Sequence, residues 1–181
     1  MTIEAHLLIS WLTTVEVLKN RRERVLTTLA GVAPDLDGLG IISDMITGTT
    51  NYYIEYHHYL GHSIFSAIIF ASIATLFAKT QRITVWILSF VVVHIHILCD
   101  IVGSKAPDGF HYPIYYLSPM DSNFSLIWEH QWELNSWQNI VIFVALLALS
   151  FFYLKRKRIT FLEVISKRLN KVACRMYERY L

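Results

Sequence analysis

Four groups of residues in this 181-residue chain have the types and spacing for metal chemistry: His6, Pro34-Asp35-Leu36-Asp37, His57-x-x-x-x-His62-Ser63 and His96-x-x-x-Asp100. Residues four apart share a helix face, so His96 and Asp100 present an imidazole nitrogen and a carboxylate to the same point and can bind one divalent ion. Histidines with carboxylates and no thiolates suit Zn²⁺ in a site that keeps one position open for water. Mn²⁺ and Fe²⁺ fit the same ligand types. More than four N/O ligands would point to two ions, an arrangement able to clamp a phosphoryl group. The chemistry expected is metal-assisted hydrolysis, with Asp37 as candidate general base.

Each group also has a plainer explanation. Paired acids such as Asp35 and Asp37 after a proline fit a solvated turn. His94 lies two residues before His96, faces elsewhere on the helix and is expected to pack or hydrogen-bond. Ser63 is placed to cap a following helix, whose first amides could hold an anion. Asp44 and Glu55 receive no role. Two non-hydrolytic readings remain open: a haem anchor using His62 and His96 as axial ligands, and a metal-binding transporter subunit.

The elements that must position these residues are membrane helices. With 54% apolar and 17% charged residues and a mean hydropathy of +0.41, the chain is too apolar for an ordinary soluble domain of its length. Three runs read as spans: Ile64 to Ala78, Ile83 to Val102 and Ile140 to Leu154. Spanning the hydrocarbon takes roughly 20 apolar residues, which the middle run meets most fully. The stretch from Ile3 to Ala33 reads as a short helical hairpin, partly inserted, whose second arm should stop before Pro34 and is too short to span alone at about 1.5 Å per residue. The N-terminal stretch carries Glu4 and His6 without a basic leader, so no cleavable leader is expected. Only Cys99 and Cys174 are present, and no disulfide framework is expected. The expected fold class is therefore all-α: an integral membrane helical bundle with a short N-terminal hairpin and an interfacial loop.

Fifteen of the sixteen basic residues fall into three clusters, Lys19 to Arg24, Lys79 to Arg82 and Lys155 onward, leaving Lys105 apart. The positive-inside rule puts those clusters in the cytoplasm and the histidines and most carboxylates on the outer, periplasmic face of a bacterial inner membrane. The segment between Val102 and Ile140, rich in Trp and Tyr with scattered Gly and Pro, reads as a long interfacial loop. Beyond the last span, apolar residues from Phe161 to Tyr180 recur at helical spacing with Lys and Arg between them, a basic amphipathic helix suited to an anionic leaflet. The chain thus divides into a membrane domain, 1–154, and a basic amphipathic cytoplasmic tail, 155–181. Membrane lipid and a small-molecule or lipid substrate are the partners expected. No direct nucleic-acid binding is expected, and the sequence names no protein partner.

Taken in order, Glu4-Ala5-His6-Leu7-Leu8, Pro34-Asp35-Leu36-Asp37, the His57 to Ser63 block, His96-Ile97-Leu98-Cys99-Asp100 and the Pro-bounded stretch from Tyr112 to Pro119 resemble the YdjM-type inner-membrane metal-dependent hydrolases, also described as LexA-binding hydrolases. The motif order is similar, more distantly, to that of zinc-dependent phospholipase C. That likeness implies a helical site with His6, Asp35, His62, His96 and Asp100 as metal ligands, and Asp37 and His57 as further ligands or orienting residues. It also implies phosphoester hydrolysis. Two positions depart from the family pattern: His58 stands where an arginine is usual, and Gly38 where a histidine often follows the second aspartate. Should that arginine hold phosphate, His58, Lys105 or the amides near Ser63 would have to replace it.

Overall fold

The computed structural model describes residues 1–180. Helices α1 (Ile3–Thr14) and α2 (Arg21–Val32) form an antiparallel hairpin, followed by a 3-10 segment (Ala33–Leu39) and the short helices α3 (Gly40–Thr47) and α4 (Tyr52–Tyr56). Helices α5 (Ile64–Phe77), α6 (Arg82–Gly103) and α7 (Trp137–Lys157) follow, and α8 (Leu162–Ile165) and α9 (Lys167–Tyr180) close the chain. The fold is all-α. Among the described residues only isolated β-bridges occur, Lys105 with Glu133 and Ile114 with Leu126.

Helix α6 is the axis of the bundle, packing against α5, α2 and α1. Small residues let these helices approach closely in surroundings where lipid tails supply no hydrophobic drive between them. Ala67, Ala71, Ala74 and Ala78 are buried along one face of α5 and its end, against Val85 and Val93 of α6. Gly31 in α2 is a stricter case, because a Cβ there would stand 2.1 Å from Ser10 Oγ and 3.0 Å from Val92 Cγ2. Ser63 caps α5 in a reciprocal box: its Oγ accepts from the Ser66 amide, and Ser66 Oγ accepts from the Ser63 amide.

Among the described residues, three stretches are long and apolar enough to cross a membrane: Arg21–Thr47, Arg82–Gly103 and Trp137–Lys157. Two of them match the later spans expected from sequence; the other corrects the reading of the hairpin. Helix α2 ends at Val32, before Pro34 as expected, and Pro34 falls in the first turn of a following 3-10 segment, where its missing N–H removes no bond that segment needs. The chain stays helical to Thr47, and the arm judged too short to span is part of a 27-residue stretch. Conversely the Ile64 to Ala78 run forms α5, an apolar helix of 14 residues, shorter than a full crossing.

The three basic clusters meet at one end of the bundle. Lys19 donates its amide to Gln81 (3.1 Å), Asn20 bonds Thr80 (2.8 Å), and Lys157 bonds Glu16 (2.6 Å). The segment after α7 is part of this packing. Trp11, Val15 and Val164 form a buried cluster with Tyr153, Ile159 and Phe161 against it. Glu163 accepts from Trp11 Nε1 (3.0 Å) and from Arg24 Nε and Nη2 (2.7 and 2.8 Å).

Candidate metal centre

At the opposite end of α6, His96 and Asp100 are buried one turn apart, as their spacing requires. Helix α1 brings in His6, whose ring stacks on His96 with centroids 3.6 Å apart. The 3-10 segment supplies Asp35 and Asp37, and the turn before α5 supplies His57, His58 and His62. Gly61 makes this turn possible, since a Cβ there would lie 2.2 Å from the Pro34 carbonyl oxygen.

The hydrogen bonds around the nest fix which imidazole nitrogens face inward. His96 Nδ1 lies 2.8 Å from the Gly31 carbonyl, one of the acceptors that the end of α2 leaves free. His62 Nδ1 lies 3.0 Å from Asp37 Oδ2. A carbonyl or carboxylate oxygen only accepts, so both Nδ1 atoms carry the proton and both Nε2 atoms turn toward the centre. There the two Nε2 atoms stand 3.2 Å apart. Asp100 Oδ2 is 3.0 Å from His96 Nε2 and 3.4 Å from His62 Nε2. Asp100 Oδ1 is 3.1 Å from His6 Nε2, and Asp35 Oδ1 is 3.5 Å from His96 Nε2. The Met1 amino group also contacts Asp100.

Atoms held about 2.1 Å from one ion stand roughly 3.0–3.4 Å from each other, and the distances across the nest fall close to that range. His6, Asp35, His96 and Asp100 offer ligand atoms mutually within 4.8 Å, as do His58, His62 and Asp100. Asp100 belongs to both groups. Asp35 Oδ2, Asp100 Oδ2, His6 Nδ1 and His58 Nδ1 are buried without a hydrogen-bond partner. Carboxylate oxygens and imidazole nitrogens crowded in this way without partners fit a cation site better than they fit a packed core. Burial disfavours charge on His62, yet Asp100 and Asp37 outweigh it and raise its pKa, so the nest attracts a proton when nothing else neutralises it.

Asp37 sits one layer behind. Its Oδ1 is 3.0 Å from His57 Nδ1, and its Oδ2 accepts from His62 Nδ1 and from the Gly61 amide at 3.0 Å each. His57 stacks on Tyr53 and lies beside Gly38, where a Cβ would be 3.1 Å from His57 Nδ1. His94 is turned away, bonded to the Phe90 carbonyl and to the Tyr116 hydroxyl. Asp44 is spent on the Thr50 hydroxyl and the amides of Tyr52 and Tyr53.

His58 is the group member that sequence reasoning left out of the ligand set. Its backbone is left-handed, φ 68°, a conformation uncommon outside glycine that turns the side chain inward. The ring is 1% exposed. Burial first, then the His62 and His57 rings, hold its pKa well below the ordinary imidazole value, which leaves it neutral and able to ligate. Adjacent histidines give no hint of which one points in; the turn decides it.

A cavity of about 540 Å³ opens beside the nest, with Asp35, Asp100, His57 and His58 on its polar side and Leu39, Ile41 and Leu134 among its apolar walls. Tyr53 and Tyr112 also line it. Burial, Tyr112 and the site's carboxylates push Tyr53 up to about 12. The long loop is pinned over this end of the bundle: Gln131 donates to the Asp100 carbonyl (2.7 Å), and Asn139 donates to those of Gly103 and Leu134 (2.9 Å each).

Residues 1–169 match the family model described as YdjM inner membrane protein. Among curated proteins and solved structures, nothing matches the chain.

Proposed function

The chain belongs to the YdjM inner membrane protein family, and on that footing we propose that this multi-pass helical bundle is a metal-dependent hydrolase acting on an ester or phosphoester of a lipid or other amphiphile. The observation that carries the reading is the convergence of His62 Nε2, His96 Nε2 and Asp100 Oδ2, with no proton left for the two facing nitrogens once both Nδ1 protons are committed; the Met1 amino group engages the other Asp100 oxygen. One or two divalent ions, Zn²⁺ first on ligand type, would be held by His6, Asp35, His96 and Asp100 and by His58, His62 and Asp100. Such an ion supplies Lewis acidity and brings the pKa of water toward neutrality.

The remaining roles belong to the chain itself. Asp37, with both oxygens engaged, orients His57 and His62 rather than abstracting a proton, a revision of the role its sequence position suggested. Asp35 lines the cavity and its Oδ2 has no hydrogen-bond partner, so a carboxylate that ligates through one oxygen would keep the other to take a proton from attacking water. The basic clusters at the far end favour a periplasmic site, by the positive-inside rule.

The haem reading draws little support, because two Nε2 atoms 3.2 Å apart beside a carboxylate leave no space for a porphyrin plane. Elemental analysis of the purified protein, with hydrolysis of ester and phosphoester panels before and after chelation, tests the proposal. Bound metal and chelator-sensitive hydrolysis are expected. A protein that binds metal but hydrolyses neither panel would instead be a metal-binding membrane component.

A further inference from the structure

Lys105 is the basic residue that lies outside the three clusters, and it lines the same cavity as Asp35, Asp100, His57 and His58. It is held there by its backbone: its amide donates to the Trp132 carbonyl (3.1 Å) and its carbonyl accepts from the Leu134 amide (3.0 Å). No ion pair among the described residues involves its amino group. Its charge on this cavity wall is not spent on the nest: Asp35 turns to His96, and Asp100 turns to His96 and to the Met1 amino group.

Resting on the hydrolase reading above, we propose that Lys105 is a specificity-determining residue that binds the phosphoryl oxygens of the ligand and selects it over a neutral ester. An ion in the nest and the Lys105 ammonium would be two positive centres on this cavity, apart from the Met1 amino group that Asp100 already engages. A neutral ester has one carbonyl oxygen to offer and gains nothing from the second centre. A phosphoryl group carries several anionic oxygens on a tetrahedral frame and engages both, through a charge-assisted hydrogen bond to the ammonium. Leu39, Ile41 and Leu134 on the same cavity give an apolar chain attached to that phosphoryl group a place to lie.

The experiment is calorimetric titration of the full-length, metal-loaded protein in micelles with inorganic phosphate and, separately, with dihexanoyl phosphatidic acid. Wild type, Lys105→Gln and Lys105→Arg are compared, with metal content measured in each. The Gln variant is expected to keep its metal and to lose about tenfold or more in affinity for both probes. The Arg variant, retaining charge, should stay within about threefold of wild type. Tighter binding of the lipid assigns the phosphoryl group to a lipid headgroup; equal binding assigns it to a free phosphate. A metal-loaded Gln variant that binds like wild type overturns the role of Lys105 and leaves the hydrolase reading intact, as does a metal-loaded wild type that binds neither probe. A wild type that takes up no metal overturns both.

Discussion

His62 and His96 face each other through their Nε2 atoms at 3.2 Å, each already anchored at Nδ1, one by Asp37 and the other by the Gly31 carbonyl. One ring comes from α6 and the other from the turn before α5, and both are held so that neither can turn away. Replacing His96 with alanine removes an inward nitrogen with its helix otherwise intact. Metal affinity is expected to fall by more than about 100-fold, beyond the 10–100-fold typical of losing an orienting partner. Elemental analysis of the purified variant checks this, and a full complement of metal would count against the nest as a metal site.

Asp37→Asn separates the two roles open to that carboxylate. The amide keeps the size of the side chain but can no longer accept from both His57 and His62 as an anion does. If Asp37 orients, apparent metal affinity drops about 10–100-fold and excess metal restores hydrolysis. If it is the general base, metal content holds and saturating metal restores nothing.

The nest also sets the sign of a pH dependence. Asp100 and Asp37 overcome burial and raise the pKa of His62, so a proton competes with the ion into a pH range above that of an ordinary imidazole. Metal affinity should therefore weaken as pH falls through and below that raised value, and strengthen as pH rises past it, with protons released on binding. Titration of the ion at several pH values in two buffers of different ionisation enthalpy measures both. An affinity independent of pH would mean that His62 is not a ligand.

How much of this was legible in the chain depended on whether the determinant was local. The i to i+4 spacing of His96 and Asp100 and the apolar run of α6 are properties of one helix, and they read directly. The capping role of Ser63 read for the same reason. The end of α2 before Pro34 read locally too, but the continuation through a 3-10 segment to Thr47 did not, because a proline that ends an α-helix does not show whether another helical turn follows. Nor did the inward turn of His58, which depends on a left-handed backbone dihedral, or the docking of Glu163, whose partners Trp11 and Arg24 lie more than a hundred residues earlier.

Gly31 allows α1, α2 and α6 to meet and lends its carbonyl to His96. A Cβ there would stand 2.1 Å from Ser10 Oγ, so Gly31→Ala must displace either the Ser10 side chain or the helix. The expected cost is about 1–3 kcal/mol, typical of overpacking, together with weaker metal binding as the carbonyl moves. Thermal unfolding in micelles measures the first. Ser10→Gly combined with Gly31→Ala should recover much of both, since it removes the clashing atoms while leaving the carbonyl in place.

At the far end of the bundle, Glu163 is 2% exposed and Arg24 is 7% exposed. The guanidinium makes four bonds: two go to the carboxylate, and Nη1 donates to the carbonyls of Leu18 (3.0 Å) and Lys19 (2.8 Å). Glu163→Ala leaves this cation and the Trp11 indole N–H without their acceptor in a buried setting. Breaking a buried pair on one side costs about 3–5 kcal/mol, so a marked fall in unfolding temperature is expected. Metal content should be unchanged, because the nest lies at the other end of α6. Arg24→Met with Glu163→Leu removes both charges and should return a large part of the loss, short of the Trp11 bond and the two carbonyl contacts. A Glu163→Ala protein as stable as wild type would show that the segment after α7 is a detachable tail rather than part of the bundle.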